Sequence, residues 1–241
     1  MKRKKSAAGA IIFLIMAAVI AFLMLKTVFV VRSVAVTGES PIGQDAIIRA
    51  SGIEFGSPLT EVDAVAVENG INALGKVKFE GMKRVLPGEI RIQVSERKGA
   101  GMVLHMGKIL VLDAEGYAVE ERDAVPDSDL VYVSDMGVVK SEIGKAVEGD
   151  LKRIEAYRRI MEAVERHNAG GMISEISLAE LNKIRIFTRS GTAVYIGSTE
   201  KINDKIAWMK AVSADLDLRG ESGGSLDVSS AVRADYRPPA G

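Results

Sequence analysis

Two Ser-x-x-Lys spacings, Ser95 with Lys98 and Ser198 with Lys201, are the places where this chain could do covalent chemistry. A lysine three residues after a serine can take its proton, which is how penicillin-binding enzymes build their nucleophile. That site also needs S-D-N and K-T-G elements, and the chain has neither. A wall hydrolase or transferase working through Ser198 would require a buried serine–base pair. The two histidines, His105 and His167, fall in a turn and at a helix end without further ligand spacing, which suits surface residues better than a metal site. No G-x-x-x-x-G-K-[ST] loop occurs, and the Gly99/Gly101 pair lacks the rest of a dinucleotide fingerprint. Absence of cysteine excludes thiolate nucleophiles and zinc-thiolate centres. The expectation is a non-enzyme with no catalytic residue, no metal, no cofactor and no small-molecule substrate, so binding is what remains.

Residues 7–25 are an apolar run without one charged side chain. At about 1.5 Å per residue, such a helix spans close to the ~30 Å hydrocarbon core of a bilayer. Lys2, Arg3, Lys4 and Lys5 precede it and only Lys26 and Arg32 follow closely, so the basic bias puts residues 1–6 in the cytoplasm and the rest outside. A cleaved signal peptide is the rival. The run exceeds the usual h-region, and residues 23–31 are too bulky for a cleavage site, so an uncleaved anchor is expected. Setting aside Lys2, Arg3, Lys4, Lys5 and Lys26 from 32 basic residues, against 32 acidic, leaves the exported part at net −5. That charge disfavours nucleic acid as a partner.

Beyond the anchor, Val34 and Val36 alternate with Ser33, Ala35 and Thr37, a strand pattern over residues 30–38. Pro41 opens a short helix that Ser51-Gly52 closes, and Thr60 with Asp63 looks like a capping box for a helix presenting Val67, Ile71 and Leu74. Strands at 77–84 and 89–95 follow, joined by Leu86-Pro87-Gly88, with Ile90, Ile92 and Val94 on one face of the second. The order is strand, helix, helix, strand, strand. A meander is then expected from 103–104, 109–112 and 117–119, with a strand at 130–133. A helix carrying Leu151, Ile154, Tyr157, Met161 and Val164 follows, ended by Gly170-Gly171. Alternation at 184–188 and 192–196 across Ser190-Gly191 reads as a hairpin. A last helix carries Ile202, Ile206, Met209, Val212 and Leu216 with Trp208 beside the stripe. A strand at 226–228 and a terminal strand at 231–236 come next, and Pro238 and Pro239 end the pairing.

The segments VRSVAVTG, IIRASGIEFGSPLTEVD and LPGEIRIQVSER, behind a basic N-terminus and one anchor, resemble the bacterial cell division family FtsQ, called DivIB in Gram-positive bacteria. GKILVLDAEGYAVE and Leu226-Asp227-Val228 extend the resemblance over nearly the whole chain. Gly99 stands where the family's E-R-x-P-x-A has proline, and Ser229 where it commonly has arginine. The resemblance implies an α+β protein: a transmembrane helix at 7–25, a POTRA domain of β-α-α-β-β order at 30–97, a mixed β domain of antiparallel strands with two packed helices at 98–237, and a tail at 238–241.

It also implies a scaffold of the divisome, in the inner (cytoplasmic) membrane at the division septum, that links FtsB-like and FtsL-like proteins and other division proteins. The receiving edge would be Ala231, Val232, Arg233, Ala234, Asp235 and Tyr236, with Val232 and Tyr236 as anchors, taking a partner strand by main-chain pairing. Met82 and Arg84 on the POTRA strand 77–84 would form a second recruitment surface. The alternative that keeps the POTRA domain is a protein-export or outer-membrane assembly factor. Such factors usually carry several POTRA repeats or a β-barrel, and neither pattern occurs in the sequence.

Overall fold

A computed structural model describes residues 3–126 and 129–239, with the side chains of 3–8, 21 and 23–27 outside the description. Residues 1–2 of the expected cytoplasmic tail and 240–241 of the expected C-terminal tail lie outside the described residues. The chain divides into two compact units, Met1–Glu96 and Arg97–Gly241.

The first unit begins with α1 (Arg3–Thr27), an unbroken helix of 25 residues. Its described apolar side chains, among them Ile11, Phe13, Leu14, Ile20 and Phe22, are all exposed. Among the described residues no helix is long and apolar enough to cross a membrane. The expected span at 7–25 falls partly on side chains that are not described.

The body of this unit is β1 (Ser33–Thr37), α2 (Gln44–Ala50), α3 (Ala64–Asn72), β2 (Val77–Val85) and β3 (Glu89–Glu96). The sheet order is β1-β3-β2, with β1 parallel and β2 antiparallel to β3. The strict alternation of β3 puts Ile90, Ile92 and Val94 into the core, where Ile47 of α2 and Val67 and Ile71 of α3 meet them. The helix α3 starts differently from expectation. Thr60 belongs to a 3-10 turn, Leu59–Glu61, and Asp63 itself is the N-cap, its carboxylate accepting from Val65 N at 2.9 Å. Leu74 lies past the helix end, half-buried.

The second unit carries a nine-stranded sheet. Its elements are β4 (Gly101–His105), β5 (Lys108–Leu112), β6 (Ala118–Arg122), β7 (Val131–Ser134), β8 (Val138–Lys140), β9 (Glu148–Gly149), α4 (Leu151–Arg166), β10 (Ile173–Ser177), β11 (Ile184–Thr188), β12 (Ala193–Gly197), α5 (Ile202–Arg219), β13 (Ser225–Asp227) and β14 (Asp235–Arg237). The strand order is β14-β13-β12-β11-β10-β7-β4-β5-β6, while β8 and β9 pair on their own. The expected meander is present as β4, β5 and β6.

A mixed β domain was the expectation, with antiparallel strands, and three of its pairings are instead parallel: β4–β7, β7–β10 and β12–β13. The cause is connectivity. A helix inserted between two neighbouring strands carries the chain back to the end where the first strand began, and α4 does this for β7 and β10 as α5 does for β12 and β13. Both helices contribute to one core: Ile154, Tyr157, Ile160, Met161, Ile206 and Met209 cluster with Val133, Ile176, Ile186, Val194 and Leu226. Leu151, expected in the stripe of α4, is 80% exposed, because it is the first residue of the helix.

Candidate partner-binding surfaces

Register carries one apolar row across the core face of the large sheet. Val133, Ile176, Ile186, Val194, Leu226 and Tyr236 are successive cross-strand partners. All but Tyr236 are fully or almost fully buried. On the opposite face Ser134, Ser177, Arg185, Tyr195, Asp227 and Asp235 form a polar row in the same way. Both rows stop at β14, the outermost strand, whose far edge meets no strand among the described residues.

That strand is shorter than expected and shifted. It covers Asp235–Arg237, so it takes in Arg237, which the sequence reading left out, and omits residues 231–234. Ala231 adopts a left-handed conformation (φ 57°) and its N–H donates to Val228 O at 3.0 Å, which turns the chain where a straight strand was expected. Ser229 N donates to the Asp227 carboxylate at 2.9 Å, starting the same turn. These hydrogen bonds from Ser229, with the Arg237 and Arg233 charges nearby, hold the Asp227 carboxyl below its ordinary range.

Of the expected contact residues, Val232 is 75% exposed, Arg233 and Asp235 form an exposed ion pair at 2.9 Å, and Ala234 and Tyr236 pack against the core. The Tyr236 hydroxyl donates to Gly223 O at 3.2 Å. Gly224 holds the strand close: a Cβ there would stand 2.4 Å from Arg237 O, and its φ of 76° already favours glycine. Beside this edge, Asp204, Ala207, Trp208 and Ala211 of α5 and Ala231 and Val232 of the turn line a shallow groove. Trp208 is exposed, and its place beside the apolar stripe of α5 was the sequence signal for it.

In the first unit β2 is likewise an outer strand. Met82 is half-buried against the core. Arg84 donates through Nε to Leu59 O at 2.8 Å and through Nη2 to Val62 O at 2.6 Å, so its guanidinium clamps the 3-10 turn of its own unit.

The residues suited to chemistry are dispersed. Ser95 Oγ donates to Glu80 Oε1 at 2.7 Å on the surface. Ser198 is exposed, and its Oγ accepts from Glu200 N at 3.3 Å. Lys205 is buried, with Nζ donating to Ser198 O at 2.9 Å, and burial lowers its pKa. His105 ends a strand and His167 caps α4. Among the described residues no cluster of His, Cys, Asp and Glu could hold a metal.

Residues 29–97 match the family model of the POTRA domain, FtsQ-type, so this stretch of the first unit is a POTRA domain. Similarity extends well beyond that domain. The chain is 28% identical to the cell division protein FtsQ of Corynebacterium glutamicum over 76% of its own length and 78% of that protein's. With the cell division protein DivIB of Clostridium tetani it shares 23% identity over 83% of its length and 76% of the relative's. With FtsQ of Mycobacterium leprae it shares 26% over 83% of its length and 53% of the relative's. The chain is thus similar, over most of its length, to bacterial cell division proteins named FtsQ and DivIB.

Proposed function

We propose that this chain is a single-pass membrane scaffold of the division septum, and that β14 receives an extended strand from an FtsB-like protein delivered with its FtsL-like partner. The observation that carries the reading is the unpaired outer edge of β14, at which both cross-sheet rows end. An edge strand offers main-chain hydrogen bonds to any extended segment, and the side chains beside it select the register. The rows state what the segment needs. An apolar residue beside Tyr236 would continue the core row, a basic one would suit Asp235, and an acidic one Arg237. The groove beside Trp208 and Val232 offers room for a further apolar side chain.

Membrane anchoring is part of the same reading. A helix that is apolar on all sides has no face suited to water, and α1 exposes every large apolar side chain described in it. Basic residues stand mainly before the apolar run 7–25, which favours a cytoplasmic N-terminus with both folded units outside. The outer strand β2 of the POTRA domain, with Met82 and Arg84, is a second surface for other division proteins.

Co-purification of the full chain with candidate FtsB-like and FtsL-like proteins tests this directly. A chain ended after Ser230 keeps the buried Leu226 and Val228 and removes β14. Capture by the full chain and its loss in the shortened one, with circular dichroism unchanged, is the expected result. Equal capture by both would place the site elsewhere, and no capture by the full chain would overturn the divisome reading.

A further inference from the structure

The first unit joins α1 with almost no slack. Two residues after the helix ends at Thr27, Phe29 already packs against the POTRA core, and its carbonyl accepts from Leu59 N at 2.9 Å. Two residues of extended chain reach about 7 Å at most. The interfacial zone outside the hydrocarbon core is itself roughly 5–8 Å deep on each side. A domain tied this closely to a membrane-spanning helix has one end at headgroup level.

Two loops form that end. Val31 N donates to Ser57 O and Val31 O accepts from Gly56 N, both at 2.8 Å, which fixes the loop at 54–58 against the entering chain. On its other side Arg32 N and Ser33 N both donate to Gly88 O, at 2.7 and 3.2 Å, which fixes the β2–β3 turn. The approach is so close that a Cβ on Gly88 would stand 2.6 Å from Val30 O. Each loop carries one large apolar side chain with no core to enter: Phe55 is 61% exposed and Leu86 is 68% exposed.

Single exposed apolar residues are ordinary on soluble domains. Two that flank the segment leaving a membrane helix have an apolar phase within reach.

We propose that Phe55 and Leu86 dip into the headgroup–acyl boundary of the membrane that holds α1, so that the POTRA domain stands on the bilayer by this end and its opposite end points away from it. The proposal rests on the anchor reading. The partner is the lipid surface itself, engaged through apolar side chains rather than charge, because the neighbour of Phe55 is the acidic Glu54. Standing on two loops restrains the tilt of the domain. The opposite end, where β1 and β3 finish and the chain continues into the second unit, lies a strand away: the eight residues of β3 span about 25 Å.

The test uses the full chain in phosphatidylcholine vesicles with brominated acyl chains. Trp208→Phe removes the one native tryptophan, and Phe55→Trp, Leu86→Trp or Glu39→Trp adds a single probe at either loop or at the opposite end. The expected result is flotation of all three with the vesicles, bromine quenching of the probes at 55 and 86 by at least twofold, and little quenching at 39. Flotation with equal quenching at all three sites, or with none, overturns the proposal and leaves the anchor standing. Blue-shifted but unquenched emission at 55 and 86 means protein covers these loops, which overturns it as well. Failure to float removes the anchor reading, and the proposal falls with it.

Discussion

Arg97 and Asp113 form an ion pair in the interior of the second unit. Arg97 Nη1 donates to Asp113 Oδ2, the guanidinium lies 4.5 Å from the centre of the Tyr117 ring, and both residues are buried. The same aspartate accepts from Tyr117 N at 2.8 Å, and its carbonyl accepts from the Tyr157 hydroxyl at 2.7 Å. Burial pushes the ionisation of Tyr157 well up, so it remains a donor throughout the physiological range. Removing one member of such a pair strands a charge without a partner, which typically costs about 3–5 kcal/mol. Asp113→Ala should therefore lower the stability of this unit by about that amount in urea denaturation. The double change Arg97→Met with Asp113→Leu should recover most of the loss, since neither charge remains. A double variant as unstable as the single one would mean that the hydrogen bonds around Asp113, rather than the charge, dominate.

Asp227 makes the opposite kind of residue-scale case, because it is exposed and its effect depends on pH. Its carboxyl titrates lower in the folded protein than in the unfolded chain, chiefly through the hydrogen bonds from Ser229. The carboxylate therefore supports its turn fully above the unfolded value, about 3.9, and loses that support as pH falls through the lower folded value. Amide exchange at Ser229, corrected for intrinsic rates, should stay protected from pH 7 to 5 and lose protection below about pH 4. Asp227→Asn should abolish that step.

At the scale of elements, legibility followed how far each segment keeps a regular period. α4 was readable because Ile154, Tyr157, Met161 and Val164 hold helical spacing, and all four are buried. Its start is set by Asp150, whose carboxylate accepts from Lys152 N and Arg153 N. Asp150→Ala should cost about 1 kcal/mol in thermal or chemical unfolding, whereas Leu151→Ser should change little, because that side chain is in water. β10 went unread although it is central. A bulge between Ile173 and Glu175 breaks the alternation, so its two buried isoleucines, Ile173 and Ile176, stand three apart, a spacing that does not suggest a strand. The outer strand was misplaced for a related reason. Residues 231–234 have acceptable strand composition, but the turn depends on the left-handed Ala231, and alanine gives no signal for that conformation. Polarity of pairing was invisible too: short apolar runs look alike whether their neighbour runs parallel or antiparallel, and the connections between them decide.

At the scale of the whole molecule, the two units have hydrophobic clusters that share no residue. Ile92 is fully buried in the first, facing Ile47, Val67 and Ile71, and Ile160 is fully buried in the second among the side chains of α4 and its sheet. Truncating a buried isoleucine to alanine removes its transfer energy and leaves a cavity, at a cost of about 2–5 kcal/mol. Because no core residue serves both units, that cost should stay where it is made. In the full chain held in detergent micelles, Ile92→Ala should speed amide exchange in peptides from residues 33–96 and leave those from 97–239 at their original rates. Ile160→Ala should do the reverse. Loss of protection in both units from either change would mean that they unfold as one cooperative body. Separate responses would mean that a partner can capture the β14 edge, or a membrane the POTRA loops, while the other unit keeps its own stability, as a scaffold engaging more than one neighbour requires.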